Sequence, residues 1–149
     1  MPEPTERDVT ILLKLWELAN APEAQAARIW MFTEFSASSY QEFLAKYPPG
    51  SPEWRRFAST LALMELYGVL INRGLLDEDL FFDLFGGFDT MWQRVQHVLP
   101  GMRKELDPRL YENFELLARR HRVWQEKHPP KVLVLKTPLA VGFGWGVGA

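Results

Sequence analysis

From Val9 to Trp124 apolar residues recur three and four positions apart, and each run is bounded by proline, glycine or a side chain suited to capping a helix. The clearest run is Phe57, Leu61, Met64, Gly68 and Ile71, one stripe of a helix opened by Ser51-Pro52 and closed by Arg73-Gly74. Leu63, Leu66, Tyr67 and Leu70 widen that stripe until most of the helix is apolar, which predicts a central helix over residues 52–73 contacted on several sides. Glycine costs up to about 1 kcal/mol relative to alanine inside a helix. Close approach of another helix is the expected compensation at Gly68.

The other runs build a bundle around this one. Thr5 is a predicted cap for a first helix reaching about Asn20, with Val9, Leu12, Leu13 and Trp16 as its inner face and Ile11, Leu15 and Leu18 as a second edge. Pro22 restarts helix to about Phe35, and Ser39 caps a short helix through Tyr40, Phe43 and Tyr47 that Pro48-Pro49-Gly50 ends. After the central helix, Asp77 caps a short helix carrying Leu80, Phe81, Leu84 and Phe85, stopped by Gly86-Gly87. A helix with Met91, Trp92 and Val95 is then kinked or broken by Pro100-Gly101. Asp107-Pro108 is predicted to start the last long helix, with Leu110, Phe114, Leu117, His121 and Trp124 on one stripe. The expectation is an all-α fold, a compact bundle of five to seven helices in one domain over residues 1–130. An apolar, glycine-rich arm over 131–149 follows, beginning with a strand-like Lys131–Lys136.

Composition narrows the function classes. Six tryptophans within 13% aromatic residues point to a core of large side chains or to an aromatic binding surface. A net charge of −2 gives no global reason to expect nucleic acid or an anionic membrane as partner. The absence of cysteine excludes disulfides, thiolate metal sites and cysteine nucleophiles, and it agrees with a cytoplasmic location. Neither a signal-peptide pattern nor an uncharged apolar run of spanning length occurs, so a soluble protein is expected.

Candidate chemistry is sparse. Glu65 stands inside an almost wholly apolar helix, and buried charge is costly unless paired, so it is expected either to escape to solvent or to meet an arginine, with the ion pair as the leading expectation. Glu65, Arg103, Tyr111 and Glu115 are the candidate ligand-binding cluster, with Arg103 as the expected counter-charge. Asp77, Glu78, Asp79 and Asp83 read as helix capping and a solvated face rather than a metal site. His121 on an apolar stripe reads as a packed core histidine. Arg119, Arg120 and Arg122 form a basic patch that either contacts phosphates or complements a helix C-terminus. No phosphate loop, dinucleotide fingerprint, nucleophile elbow or histidine–carboxylate metal motif occurs, so no cofactor or metal is expected. The leading expectation is a noncatalytic, self-associating interaction or regulatory module, its partner a protein or a second copy reached through the arm. The alternatives are an enzyme or small-ligand bundle using the Glu65 cluster, and nucleic-acid binding through the three arginines.

The pattern Glu65-x-x-Gly68-x-Leu70, Gly74-Leu75-Leu76-Asp77-x-Asp79-Leu80, Phe85-Gly86 and Trp92, together with Tyr111–Ala118, resembles a family of small helical bacterial proteins of unknown function over roughly residues 25–120. The resemblance implies an all-helical fold and no established activity. It also implies that relatives carry a membrane-spanning segment ahead of the domain, whereas this chain opens on amphipathic helix.

Overall fold

The computed structural model describes residues 2–132, and among these the chain is helical with no strand. In order come α1 (Glu6–Asn20), α2 (Pro22–Thr33), α3 (Tyr40–Lys46), α4 (Pro52–Asn72), α5 (Glu78–Leu84), α6 (Phe88–Val95), α7 (Leu99–Glu105) and α8 (Glu112–Lys127). No helix among the described residues is long and apolar enough to cross a membrane. The arm and its strand-like start lie, beyond Val132, outside the described residues.

Local punctuation behaves as the residues dictate. Thr5 and Asp8 exchange bonds in a capping box, the Asp8 N–H donating to Thr5 Oγ1 at 3.3 Å and the Thr5 N–H to Asp8 Oδ2 at 2.8 Å. Ser39, Ser51 and Asp77 each accept an N–H of the first turn that follows. Gly74 takes φ 66°, and the Leu75 N–H donates 2.9 Å back to the Leu70 carbonyl, closing α4 as a left-handed glycine should.

Three boundaries differ from the pattern. Helix α6 stops at Val95, and Pro100-Gly101 sits in the first turn of α7, where the missing N–H removes no hydrogen bond. The break therefore precedes the proline, which adds a helix to the expected count. Asp107-Pro108 opens only a turn. Tyr111 then adopts φ 57°, a left-handed conformation that no helix can continue through, and α8 begins at Glu112.

The inner face of α1 is Leu12, Leu15 and Ala19, whereas Val9, Leu13 and Trp16 are 45%, 59% and 36% exposed. The two stripes share the same spacing, so periodicity could not rank them. On the side of the buried stripe, 69 residues away in sequence, the Asp77 N–H donates to Asp8 Oδ1 at 3.0 Å, which ties the start of α1 to the start of α5.

Helix α4 is the axis, packed by α2 on one side and α8 on the other. Gly68 is where α8 comes closest. A Cβ there would lie 2.3 Å from the Asn113 carbonyl oxygen, so the expected close approach is real. Tyr67, Phe81, Phe85 and Phe88 join in edge and stacked contacts at 4.8–6.1 Å, and His121 packs its ring 4.7 Å from Phe82. Burial pushes the His121 pKa down, with Asp89 opposing, so the imidazole is neutral in the core at pH 7.

Helix ends inside the bundle are closed by charges borrowed from other helices. Arg94 of α6 donates from Nε to the Met31 carbonyl and from Nη2 to the Phe35 carbonyl, both at 2.6 Å, at the C-terminal end of α2. Arg28 donates from Nη1 to the Ala19 carbonyl, 3.0 Å away in the last turn of α1.

Candidate functional site

Glu65, Arg103, Tyr111 and Glu115 all surround the N-terminal end of α8, but they form two hydrogen-bonded groups rather than one. Glu65 Oε1 accepts from the Asn113 backbone N–H at 3.3 Å and its side-chain amide at 3.0 Å, while Oε2 accepts from the Phe114 N–H at 2.8 Å. Tyr111, which precedes the first turn of α8, supplies no side-chain cap. A carboxylate 48 positions earlier in sequence does so instead. The arginine partner expected for Glu65 is thereby corrected. Orphan amides at the positive end of a helix satisfy a carboxylate as a guanidinium would, and they lie directly across from it.

Arg103 turns to the other group. Its Nη1 donates to Glu115 Oε1 at 2.9 Å and its Nε to the Leu110 carbonyl at 2.8 Å, while the guanidinium lies 5.9 Å from the Trp92 ring centre. Burial, and secondarily the Glu65 charge, push the Tyr111 pKa up, so its phenol stays protonated at neutral pH. This junction locks α4, α7 and α8 together, and its polar atoms are largely engaged with one another.

The basic patch is likewise engaged. Arg119 donates to Glu115 at 2.6 Å, Arg120 to Glu78 at 3.0 Å and Arg122 to Asp89 at 2.7 Å. Each guanidinium holds a carboxylate, which leaves little net field for a phosphate backbone. The acidic run opposite is accounted for in the same way. Asp77 caps α5, Glu78 meets Arg120, Asp79 accepts from Trp124 Nε1 at 2.8 Å and Asp83 from Lys131 at 3.1 Å. Among the described residues no three His, Asp or Glu side chains converge as metal ligands.

Among the described residues, a different place in the fold offers a space. Between α2 and α4, roofed by the α5–α6 connection, lies a cavity of about 260 Å³ whose wall includes Arg28, Thr60, Leu63, Met64, Tyr67 and Phe88. Exposed Ala21, Glu23 and Ser59 form its mouth. It is built by spacing. Thr60, Leu63, Met64 and Tyr67 fall on one face of α4, next to the face that carries Gly68 against α8. Ala24 and Arg28, four apart on α2, face them, and the small alanines at 21 and 24 leave the room.

The wall is mostly apolar but holds three buried polar side chains. Arg28, Thr60 and Tyr67 are 6%, 6% and 2% exposed. The Thr60 and Tyr67 hydroxyls are both buried without a hydrogen-bond partner. Burial pushes the Tyr67 pKa up, with the Arg28 charge opposing, and burial pushes the Arg28 pKa down. Both keep their protons at neutral pH, and the Thr60 and Tyr67 hydroxyls are unpartnered groups in the wall. The arrangement suits holding a polar head group while an apolar body fills the rest; it contains no nucleophile with an adjacent base. None of these three residues stood out as a candidate in the hydrophobic pattern. The available signal was an arginine following alanines at its i−4 and i−7 positions, a buried cation beside a gap.

The chain belongs to the family described as a domain of unknown function, DUF4760, which it matches over residues 4–121. The match runs from just before α1 to His121, so it includes the cavity wall and the Glu65 junction as well as the stretch in which the resemblance was read. No curated protein and no solved structure matches the chain.

Proposed function

We propose that this chain is a noncatalytic module that binds a small ligand in the cavity between α2 and α4. One observation carries the reading: two hydroxyls, on Thr60 and Tyr67, are buried in the wall of that cavity with no partner. A buried polar group without a hydrogen bond costs on the order of 1–3 kcal/mol, and a bound ligand is the simplest way to recover it. The volume is adequate, since apolar cavities of about 150 Å³ accept benzene. Phenol, a ring with one hydroxyl, is a suitable probe. In methyl NMR of the full chain, phenol is expected to shift the Met64 methyl saturably while leaving Met102 in place. Ala24→Phe, which fills the space from α2, is expected to abolish the shift. A Met64 methyl that ignores phenol, or an unchanged response in the filled variant, would remove the reading.

A second reading, self-association, draws support from Val9 and Leu13, both exposed on α1. On this reading sedimentation gives a dimer at micromolar concentration that Leu13→Glu dissociates. A wild-type chain that stays monomeric across the concentration series rules it out.

A further inference from the structure

We infer that the ligand of the α2–α4 cavity is a neutral carbonyl compound, a ketone or ester on a compact apolar body, an inference that rests on the cavity being a ligand site. The head group follows from the protons and lone pairs in the wall. Thr60 Oγ1 and Tyr67 Oη are both buried and both lack a partner. They stand two turns apart on α4, about 10 Å along its axis. Side chains on a helix lean toward its N-terminus, which brings the long Tyr67 phenol back toward Thr60. Arg28 in the same wall is already engaged, in part through its Nη1 bond to the Ala19 carbonyl. The two hydroxyls, not the guanidinium, therefore set the head group.

A carbonyl oxygen has two lone pairs and brings no proton, so it can accept from both hydroxyls and leave nothing over. An alcohol would put three O–H groups into the space, and a chain of three satisfies only two of their protons. A primary amide adds two further protons in need of acceptors. A carboxylate would present about four lone-pair sites to two donors, and it would bury a charge against the apolar Leu63, Met64 and Phe88. Glu23 at the mouth opposes an anion further. A volume of about 260 Å³ leaves room for one ring or a short branched chain beyond the carbonyl.

The test follows the Met64 methyl of the full chain during titration with acetophenone, 1-phenylethanol and benzoate. A fourth probe, α-methylstyrene, has the shape of acetophenone but no acceptor. Acetophenone is expected to bind at least about fivefold more tightly than the alcohol and at least about tenfold more tightly than the acid. Tyr67→Phe and Thr60→Val each remove one buried hydroxyl with little change of shape. Each should weaken acetophenone about tenfold while α-methylstyrene binds no more weakly than before. Should one variant fail to fold, the other carries the comparison. Acetophenone that binds no better than the alcohol or the acid, or that ignores the substitutions, overturns the carbonyl assignment and leaves the site standing. If neither phenol nor any of these four probes moves the Met64 methyl, the site itself is overturned.

Discussion

Replacing Gly68 by alanine is expected to destabilise the fold by about 2 kcal/mol net, although alanine is the better helix former. The added Cβ would lie 2.3 Å from the Asn113 carbonyl oxygen and 2.5 Å from its carbon, far inside contact distance. Relief would require moving backbone, and that backbone is held. Glu65 takes the Asn113 N–H and side-chain amide, and Asn72 Nδ2 donates to the Asn113 carbonyl at 3.1 Å. Overpacking a tight contact costs about 1–3 kcal/mol, and a clash with fixed backbone belongs at the upper end. The helix-propensity gain of about 1 kcal/mol offsets only part of it. For a chain of this length the net corresponds to a loss of about 4–8 °C in Tm. Thermal unfolding followed by circular dichroism measures it, with Gly86→Ala as the control. Among the described residues only His121 comes near that position, at an ordinary 3.9 Å, so the control should change little. A Gly68→Ala protein as stable as wild type would mean that α4 and α8 do not approach as described.

Glu65→Ala is expected to cost about 2 kcal/mol, with its effect concentrated at one end of one helix. The substitution leaves the Asn113 and Phe114 amides without their acceptor, and Tyr111 has no side-chain cap to replace it. Loss of a helix cap costs about 0.5–2 kcal/mol, and hydrogen bonds to a charged group are each worth about 1.5–3 kcal/mol before water re-enters. Glu65 is half-buried, so water recovers part of that loss. Glu65→Gln keeps the shape and one acceptor oxygen but loses the interaction with the helix dipole, so about half the effect is expected. Urea denaturation gives the size, and hydrogen exchange gives the place. Protection should fall first at Asn113 and Phe114 and leave α1 unaffected. A uniform loss of protection across the bundle would argue against a local cap.

These two residues share a partner, since Gly68 and Glu65 both meet Asn113. The polar junction around Glu65 thus joins α4 to α8, and the proposed ligand cavity lies on a neighbouring face of α4. Neither expected variant effect depends on what that ligand is. The Ala24 variant belongs to the ligand question alone.

What the sequence determined by itself is whatever is settled within about four residues along the chain. Thr5, Ser39, Ser51 and Asp77 cap the helices that follow them, Gly74 closes α4, and the stripe from Phe57 to Ile71 marks the central helix. Caps and stripes depend on neighbours already fixed by covalent geometry, so their residues can be read in isolation. Only the tertiary structure decided the rest. The buried face of α1 was decided by its packing on the bundle, the partner of Glu65 by the place where α8 starts, and the bond of Arg28 to the Ala19 carbonyl by the crossing of α1 and α2. Each of these pairings joins residues from different helices, and equal spacing on a helix gives equal signals for either face. The crossing of the helices breaks that tie, because it alone fixes which buried carboxylate, guanidinium or hydroxyl finds a partner and which is left facing a cavity.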